Sequence, residues 1–250
     1  MIVEYHRPKT MEEALDLLGR TAISTYPLGG GTVLSRHSGN ESCAVVDLQS
    51  LGLSGVDVQG NKLVIGATTS LQSLCVASEL SLELKQVVCK EYSINLRRKA
   101  TIAGTLVISD ETSLLATALL ALDTYLRWAP NDEIISLGNW LPIRNKWAKS
   151  KLITSVSITM QVKLMYESVS RTPADKPIVC VAIGKWPSGR TRIAIGGFGT
   201  APFIVMDGPD LNDAETAIEI ARSQAIKPEN NLEYQLEITK TLVHRLLEQG

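Results

Sequence analysis

The stretch Lys99–Asp123, KATIAGTLVISDETSLLATALLALD, decides the reading of this chain. It sets a small-residue loop, a polar turn and an apolar helix in immediate succession. Thr101, Ala103, Gly104 and Thr105 carry little bulk, so backbone N–H groups there can approach an anion closely, and Gly104 tolerates backbone angles that other residues avoid. Ser109, Asp110, Glu111, Thr112 and Ser113 then offer caps for a helix beginning near Leu114, with Asp110 readable either as a cap or as a ligand contact. A second loop lies upstream, where the run Ile23 to Leu28 ends in Gly29-Gly30-Gly31-Thr32. Two loops of this kind predict a ligand carrying more than one phosphate.

Outward from these loops, 250 residues suffice for one large domain or two modest ones without disulfide or metal support. A hydrophobic content of 44%, a charged content of 20% and a net charge of −1 are those of an ordinary globular chain and give no reason to expect nucleic acid. Arg97-Arg98-Lys99 is the one basic cluster near the loops. It reads as a solvated loop or as a contact for phosphate or an acidic partner. Cys43, Cys75, Cys89 and Cys180 are scattered without a Cys-x-x-Cys, which argues against a metal or cluster site and for reduced thiols. MIVEYHRPKT lacks a signal-peptide pattern, and Asp123 ends the longest apolar run far short of a membrane span, so a cytoplasmic protein without an integral membrane segment is expected.

Thr10-Met11-Glu12-Glu13 has the form of a capping box opening a helix to Leu18, ended by Gly19. Strands are predicted at Ile23–Leu28 and Ala44–Leu48, and a hairpin at 56–65 around Gln59-Gly60-Asn61-Lys62. Helices are predicted at Leu71–Leu80, Leu82–Tyr92 and Leu114–Leu122, then a strand at Tyr125–Ala129. Ile134–Lys151, with Trp140 and Trp147, reads as a packed connection. Ile153–Tyr166 reads as one strand and a boundary follows near Ser168–Lys176, where Pro173 and its neighbours break the pattern. The remainder predicts a hairpin over 178–195, a strand at Phe203–Met206, and helices at Asp213–Ala225 and Leu232–Leu247, an α+β unit.

Several phrases, in order, resemble the FAD-binding medium subunit of the molybdenum hydroxylases, the group of xanthine dehydrogenase and aerobic carbon monoxide dehydrogenase. They are YHRPKTMEEALDLL (5–18), LGGGTVL (28–34), VVDLQSLGLSGV (45–56), LVIGATTSLQSL (63–74), LRRKATIAG (96–104), SLLATALLALD (113–123), RIAIGG (192–197) and LEYQLEITKTLVHRLL (232–247). The resemblance covers essentially the whole chain. It implies an α+β fold: a two-lobed FAD-binding domain of the PCMH/vanillyl-alcohol-oxidase type over residues 1–167, with lobes of roughly 1–55 and 56–167. A small C-terminal domain, an antiparallel sheet plus helices, follows over 168–250.

The resemblance further implies non-covalent FAD between the lobes. Partners would be an iron-sulfur small subunit and a molybdopterin large subunit, and electrons would pass from the clusters through FAD to an external acceptor such as NAD or a quinone. The iron-sulfur clusters and molybdopterin would lie only on those partners, and no residue here would act in acid–base catalysis. Leu28, Gly29, Gly30, Gly31, Thr32, Val33 and Leu34 form the implied first FAD loop, with Val33 where relatives often have a polar residue. Thr101, Ile102 and Gly104 match the second. Ala103 replaces its first glycine and Thr105 the usual asparagine. Ile108 and Leu114 stand where relatives commonly have polar residues, and Thr105 and Asp110 are the candidates to compensate. Leu152 and Ile153 match an apolar pair beside the flavin ring, and Arg171 and Asp175 a loop at its edge. The substitutions at Val33, Ala103, Ile108 and Leu114 also motivate a second reading, a structural subunit of the same fold that has lost FAD.

Overall fold

The computed structural model describes residues 1–33, 42–146, 150–172, 175–209 and 232–249, together with Thr216, Glu219, Ile220, Ala221 and Ser223. Strand β1 (Ile2–His6), helix α1 (Met11–Leu18), β2 (Ser24–Leu28) and β3 (Cys43–Asp47) make the N-terminal unit. β3 lies between β1 and β2 and runs parallel to both. Ala14 and Leu18 of α1 pack against Val46 and Leu48. Thr10 accepts from the Glu13 N–H at 3.2 Å, while the Glu13 carboxylate accepts from the Lys9 N–H, one residue earlier than a capping box requires.

The expected hairpin is β4 (Val56–Gln59) and β5 (Lys62–Gly66). Helices α2 (Leu71–Val76), α3 (Leu82–Glu91), α4 (Ile94–Arg97), α5 (Ile102–Ile108) and α6 (Leu114–Ala121) follow. Ser70, Ser81, Thr101 and Ser113 cap α2, α3, α5 and α6, each side chain accepting from the N–H three residues on. Next come β6 (Tyr125–Ala129), β7 (Glu133–Ser136), α7 (Leu137–Trp140), a 3-10 segment over Leu141–Lys146, and β8 (Leu152–Thr159). An antiparallel sheet in the order β4-β5-β8-β6-β7 results.

Ile153–Tyr166 is not one strand. β8 ends at Thr159, Gln161 takes a left-handed φ of +64°, and β9 (Lys163–Val169) belongs to a different sheet. The apolar pattern runs on through Met160, Val162 and Leu164, and no glycine or proline marks the turn, so the sequence does not announce it. β9 joins β10 (Val179–Lys185), β11 (Thr191–Gly196) and β12 (Phe203–Gly208) in an antiparallel sheet ordered β12-β11-β10-β9, which therefore begins five residues before Ser168. The helix expected at 213–225 lies mostly outside the described residues, as does Trp147.

This four-stranded sheet is covered on both faces, and the two faces differ in residue size. Val179, Val181, Ile183, Ile193 and Ile195 pack on the C-terminal helix Leu232–Glu248 through Leu236, Leu242, Val243 and Leu246. Cys180, Ala182 and Ala194, alternating with them, join the core that contains α6. A Cβ on Gly184 would lie 2.3 Å from the Ala121 carbonyl oxygen, and one on Gly196 would lie 2.7 Å from that of Glu111. Small residues on this face let α6 lie close against the sheet, and every residue of the helix is buried. No described helix is long and apolar enough to cross a membrane.

At the end of α6 four charges meet. Asp123 accepts from Arg190 (2.9 Å) and Arg192 (2.7 Å), and both arginines also bond Asp207. The Arg190 hydrogen bond, with Arg192 adding to it, holds the Asp207 carboxyl at about 2, below its ordinary 3.8. A carboxyl whose value is depressed by folding stabilises the native state above its unfolded value, so this contribution is present above about pH 4 and lost as the pH falls towards 2. Asp207→Asn should lower stability near neutral pH by about 1–2 kcal/mol, short of the cost of a fully buried pair because the group is one-third exposed. Denaturant unfolding from pH 7 to pH 2 checks this: the gap between wild type and variant should close towards pH 2.

Candidate functional site

The first glycine loop leaves the end of β2, where the Leu28 carbonyl accepts from the Leu48 N–H at 3.0 Å. It then passes tightly over the segment ahead of α5. A Cβ on Gly30 would sit 1.5 Å from the Lys99 carbonyl oxygen, and one on Gly29 would sit 2.8 Å from the Thr101 hydroxyl oxygen. Gly31 needs its φ of +70°. Two of the three glycines are thus demanded by contact between lobes. The N–H groups of Gly30, Gly31, Thr32 and Val33 have no acceptor among the described residues, and all four residues line a cleft. Leu34 lies outside the described residues.

The second stretch is not a loop. It is the start of α5, and its amides are committed. Ile102 N–H donates to Thr69 O at 3.0 Å, Ala103 N–H to Ala67 O at 3.2 Å, Gly104 N–H to the Thr101 hydroxyl at 3.2 Å, and Thr105 N–H to Thr101 O at 2.9 Å. Thr101 has the form of an N-cap, a signal present in the sequence but subordinate to its small neighbours. Thr101, Ala103 and Gly104 still line the cleft. Thr105 does not: its side chain is buried, and its hydroxyl meets no partner among the described residues.

The cleft has a volume of about 370 Å³, within the range of roughly 300–1,000 Å³ typical of small-molecule sites. It lies between the ends of β2 and β3 on one side and α5, β6 and β8 on the other. Leu152 and Ile153, both buried, line it together with Trp128 and Trp140, whose rings sit 5.4 Å apart at 54°. Two cationic residues, Arg144 and Lys151, also line it. Lys151 is paired with Glu133 at 2.6 Å. Trp140 was visible in the sequence only as a packed aromatic, and nothing in the irregular stretch around Arg144 marked that residue.

A second cleft, of about 700 Å³, shares Ile108 with the first. Asp110 lies here, apart from the glycine loop. Burial acts to raise the Asp110 carboxyl, but its ion pair with Lys176 and its bonds from Thr112 outweigh this and leave it below its ordinary value. It is therefore the acceptor of a local turn with Thr112 and has a counter-ion, on the wall of the second cleft. Arg171 and Asp175 line the same cleft, and Asp175 accepts from Thr172 N–H and hydroxyl. Leu114 packs into the core from the first turn of α6. The N-terminus of that helix is held by Glu91, which accepts from the Ser113 hydroxyl at 2.7 Å and the Leu115 N–H at 2.9 Å, and which burial pushes up. Arg97 donates to the Cys89 and Tyr92 carbonyls and to Gln72, which ties it to the end of α3 on the wall of the second cleft.

Comparison with known proteins supplies the context for this geometry. A family model described as the FAD binding domain in molybdopterin dehydrogenase matches residues 1–159. The chain is 29% identical over 249 residues to the protein named "Uncharacterized protein YgfM" of Escherichia coli K12, covering 97% of this chain and 94% of that one. It is 31% identical over 118 residues to the carbon monoxide dehydrogenase medium chain of Afipia carboxidovorans, covering 43% and 40%. Among solved structures, a Cu,Mo-CO dehydrogenase chain superposes with a TM-score of 0.81 at 21% identity, covering 99% of this chain and 97% of the other. A chain of quinoline 2-oxidoreductase from Pseudomonas putida 86 gives 0.81 at 17% identity, covering 98% and 95%. These two superpositions establish a shared fold.

The contact between Gly30 and Lys99 can be tested without any ligand. Gly30→Ala forces two backbones apart, beyond ordinary overpacking of about 1–3 kcal/mol, and should cost at least about 3 kcal/mol. Gly31→Ala meets no backbone: it bears the strain of a positive φ, about 1 kcal/mol, and a contact of 3.3 Å with the Leu28 side chain, which can shift. Thermal unfolding of the two variants in FAD-free buffer gives the order; an equal loss would contradict the lobe-contact role.

Proposed function

The chain belongs to the family of FAD-binding domains of molybdopterin dehydrogenases, and from that premise we propose that it is the electron-transferring medium subunit of a multisubunit molybdenum hydroxylase of the carbon monoxide dehydrogenase or xanthine dehydrogenase type. It would work in the cytoplasm beside an iron-sulfur subunit and a molybdopterin subunit, with NAD or a quinone as external acceptor. One observation carries the reading: four amides, Gly30 to Val33, without an acceptor among the described residues, line a cleft of small-molecule size. The phosphates of a dinucleotide need such donors.

The residues present fit FAD. Gly30, Gly31, Thr32 and Val33 would hold phosphate oxygens through the main chain. Leu152 and Ile153, with Trp128 and Trp140, would exclude water from the site and strengthen every polar contact inside it. FAD supplies the electron storage and transfer chemistry, while the chain supplies position and electrostatics. No His or Cys lies among the described residues of the glycine loop, consistent with non-covalent attachment. A hydrogen bond to a charged group is worth about 1.5–3 kcal/mol, or one to two decades of affinity.

The second reading, a structural subunit without flavin, is favoured by the committed amides of α5 and by Leu114 in the core. The visible absorption spectrum of the purified chain, taken before and after incubation with FAD, separates the two. Flavin absorbance that moves into the supernatant on acid precipitation is the expected result. A colourless chain that takes up no FAD would leave the structural reading standing.

A further inference from the structure

Arg144 is hung on three carbonyls from three parts of the chain. Its Nη1 donates to Leu141 O at 2.8 Å, and its Nη2 donates to Ser109 O at 2.8 Å and to Thr200 O at 3.0 Å. A guanidinium has five N–H donors. The Nε–H and one Nη1–H therefore remain without an acceptor among the described residues. No carboxylate pairs with Arg144 among those residues, whereas Lys151, the other cation on the cleft wall, is paired with Glu133. Three neutral carbonyls fix where the group sits, and the carboxylates of Asp110 and Glu111 act on its charge only from beyond ion-pair distance. A fixed, partly buried cation on the wall of a largely apolar cleft attracts an anion far more strongly than a solvated one would.

The start of α5 offers the same cleft no amide for an anion. All four amides at the start of α5 donate to protein acceptors, so among the described residues the main-chain donors offered to an anion are those of the loop Gly30 to Val33. We propose that Arg144, and not the start of α5, supplies the second half of the phosphate site, so that Arg144 and the Gly30–Val33 amides together hold the adenosine diphosphate portion of the ligand. This rests on the FAD reading and assigns the residue on which its phosphate recognition depends. Recognition is then an affair of charge, and it should weaken with salt.

The test compares wild type, Arg144→Gln and Arg144→Lys, titrated with FAD, ADP and riboflavin, with thermal unfolding recorded for each. Arg144→Gln should weaken ADP and FAD by roughly tenfold to a hundredfold and leave riboflavin unchanged, with Arg144→Lys between. ADP binding to wild type should weaken as salt rises, and that measurement stands even if Arg144→Gln does not fold. Unchanged ADP affinity in the variant, equal loss of all three ligands, or salt-independent ADP binding would each overturn the assignment. Wild type that binds none of the three would instead remove the flavin reading itself, and this inference with it.

Discussion

Helix α6 has no face for water. All eight of its residues are buried, and it is pressed between α3 and the four-stranded sheet. A helix hydrophobic all round can only exist where neighbours approach from every side, and here the sheet approaches by giving up side chains. Gly184 and Gly196 leave room for the Ala121 and Glu111 carbonyls. Cys180, Ala182 and Ala194 face the helix while their larger neighbours face the other way. One core consequently runs from the five-stranded sheet through α6 into the C-terminal sheet. The polar groups at each end of α6 follow from this burial: Glu91 and Ser113 satisfy its first turn, and Asp123 with two arginines closes its last.

The cleft is a product of the same economy of space elsewhere. Its two walls meet where Gly30 lies on the Lys99 carbonyl, so the backbone itself fixes the width of the opening. Because α5 uses its own first-turn amides to bind the strand end at Ala67–Thr69 and its cap at Thr101, that helix is anchored rather than offered to a ligand. The cationic residues of the cleft wall are Arg144 and Lys151.

Much of this was legible in the sequence. Period-two and period-three-to-four patterns placed most elements within a residue or two, and the order of several phrases gave the family. What failed has physical causes. Gln161 turns the chain without glycine or proline, so two strands in different sheets read as one. Small residues at 101–105 predict a loop and a helix start equally well, and only the acceptors at Thr69 and Ala67, distant in sequence, decide between them. Thr105 was a candidate because it stands at the position of a family asparagine, yet its side chain is buried away from the cleft; Asp110 lies on the wall of the second cleft, ion-paired with Lys176. Arg144 had no pattern to mark it, since its role comes from three carbonyls spread over 92 positions, from Ser109 to Thr200.

The position of Gly30 changes what a glycine signature records. The residue is required by a carbonyl of the protein's own backbone, whatever the cleft contains. A descendant that abandoned its cofactor would still be held to glycine there by the cost of separating the lobes. Persistence of the glycine in a lineage thus dates the architecture and leaves open what the cleft holds.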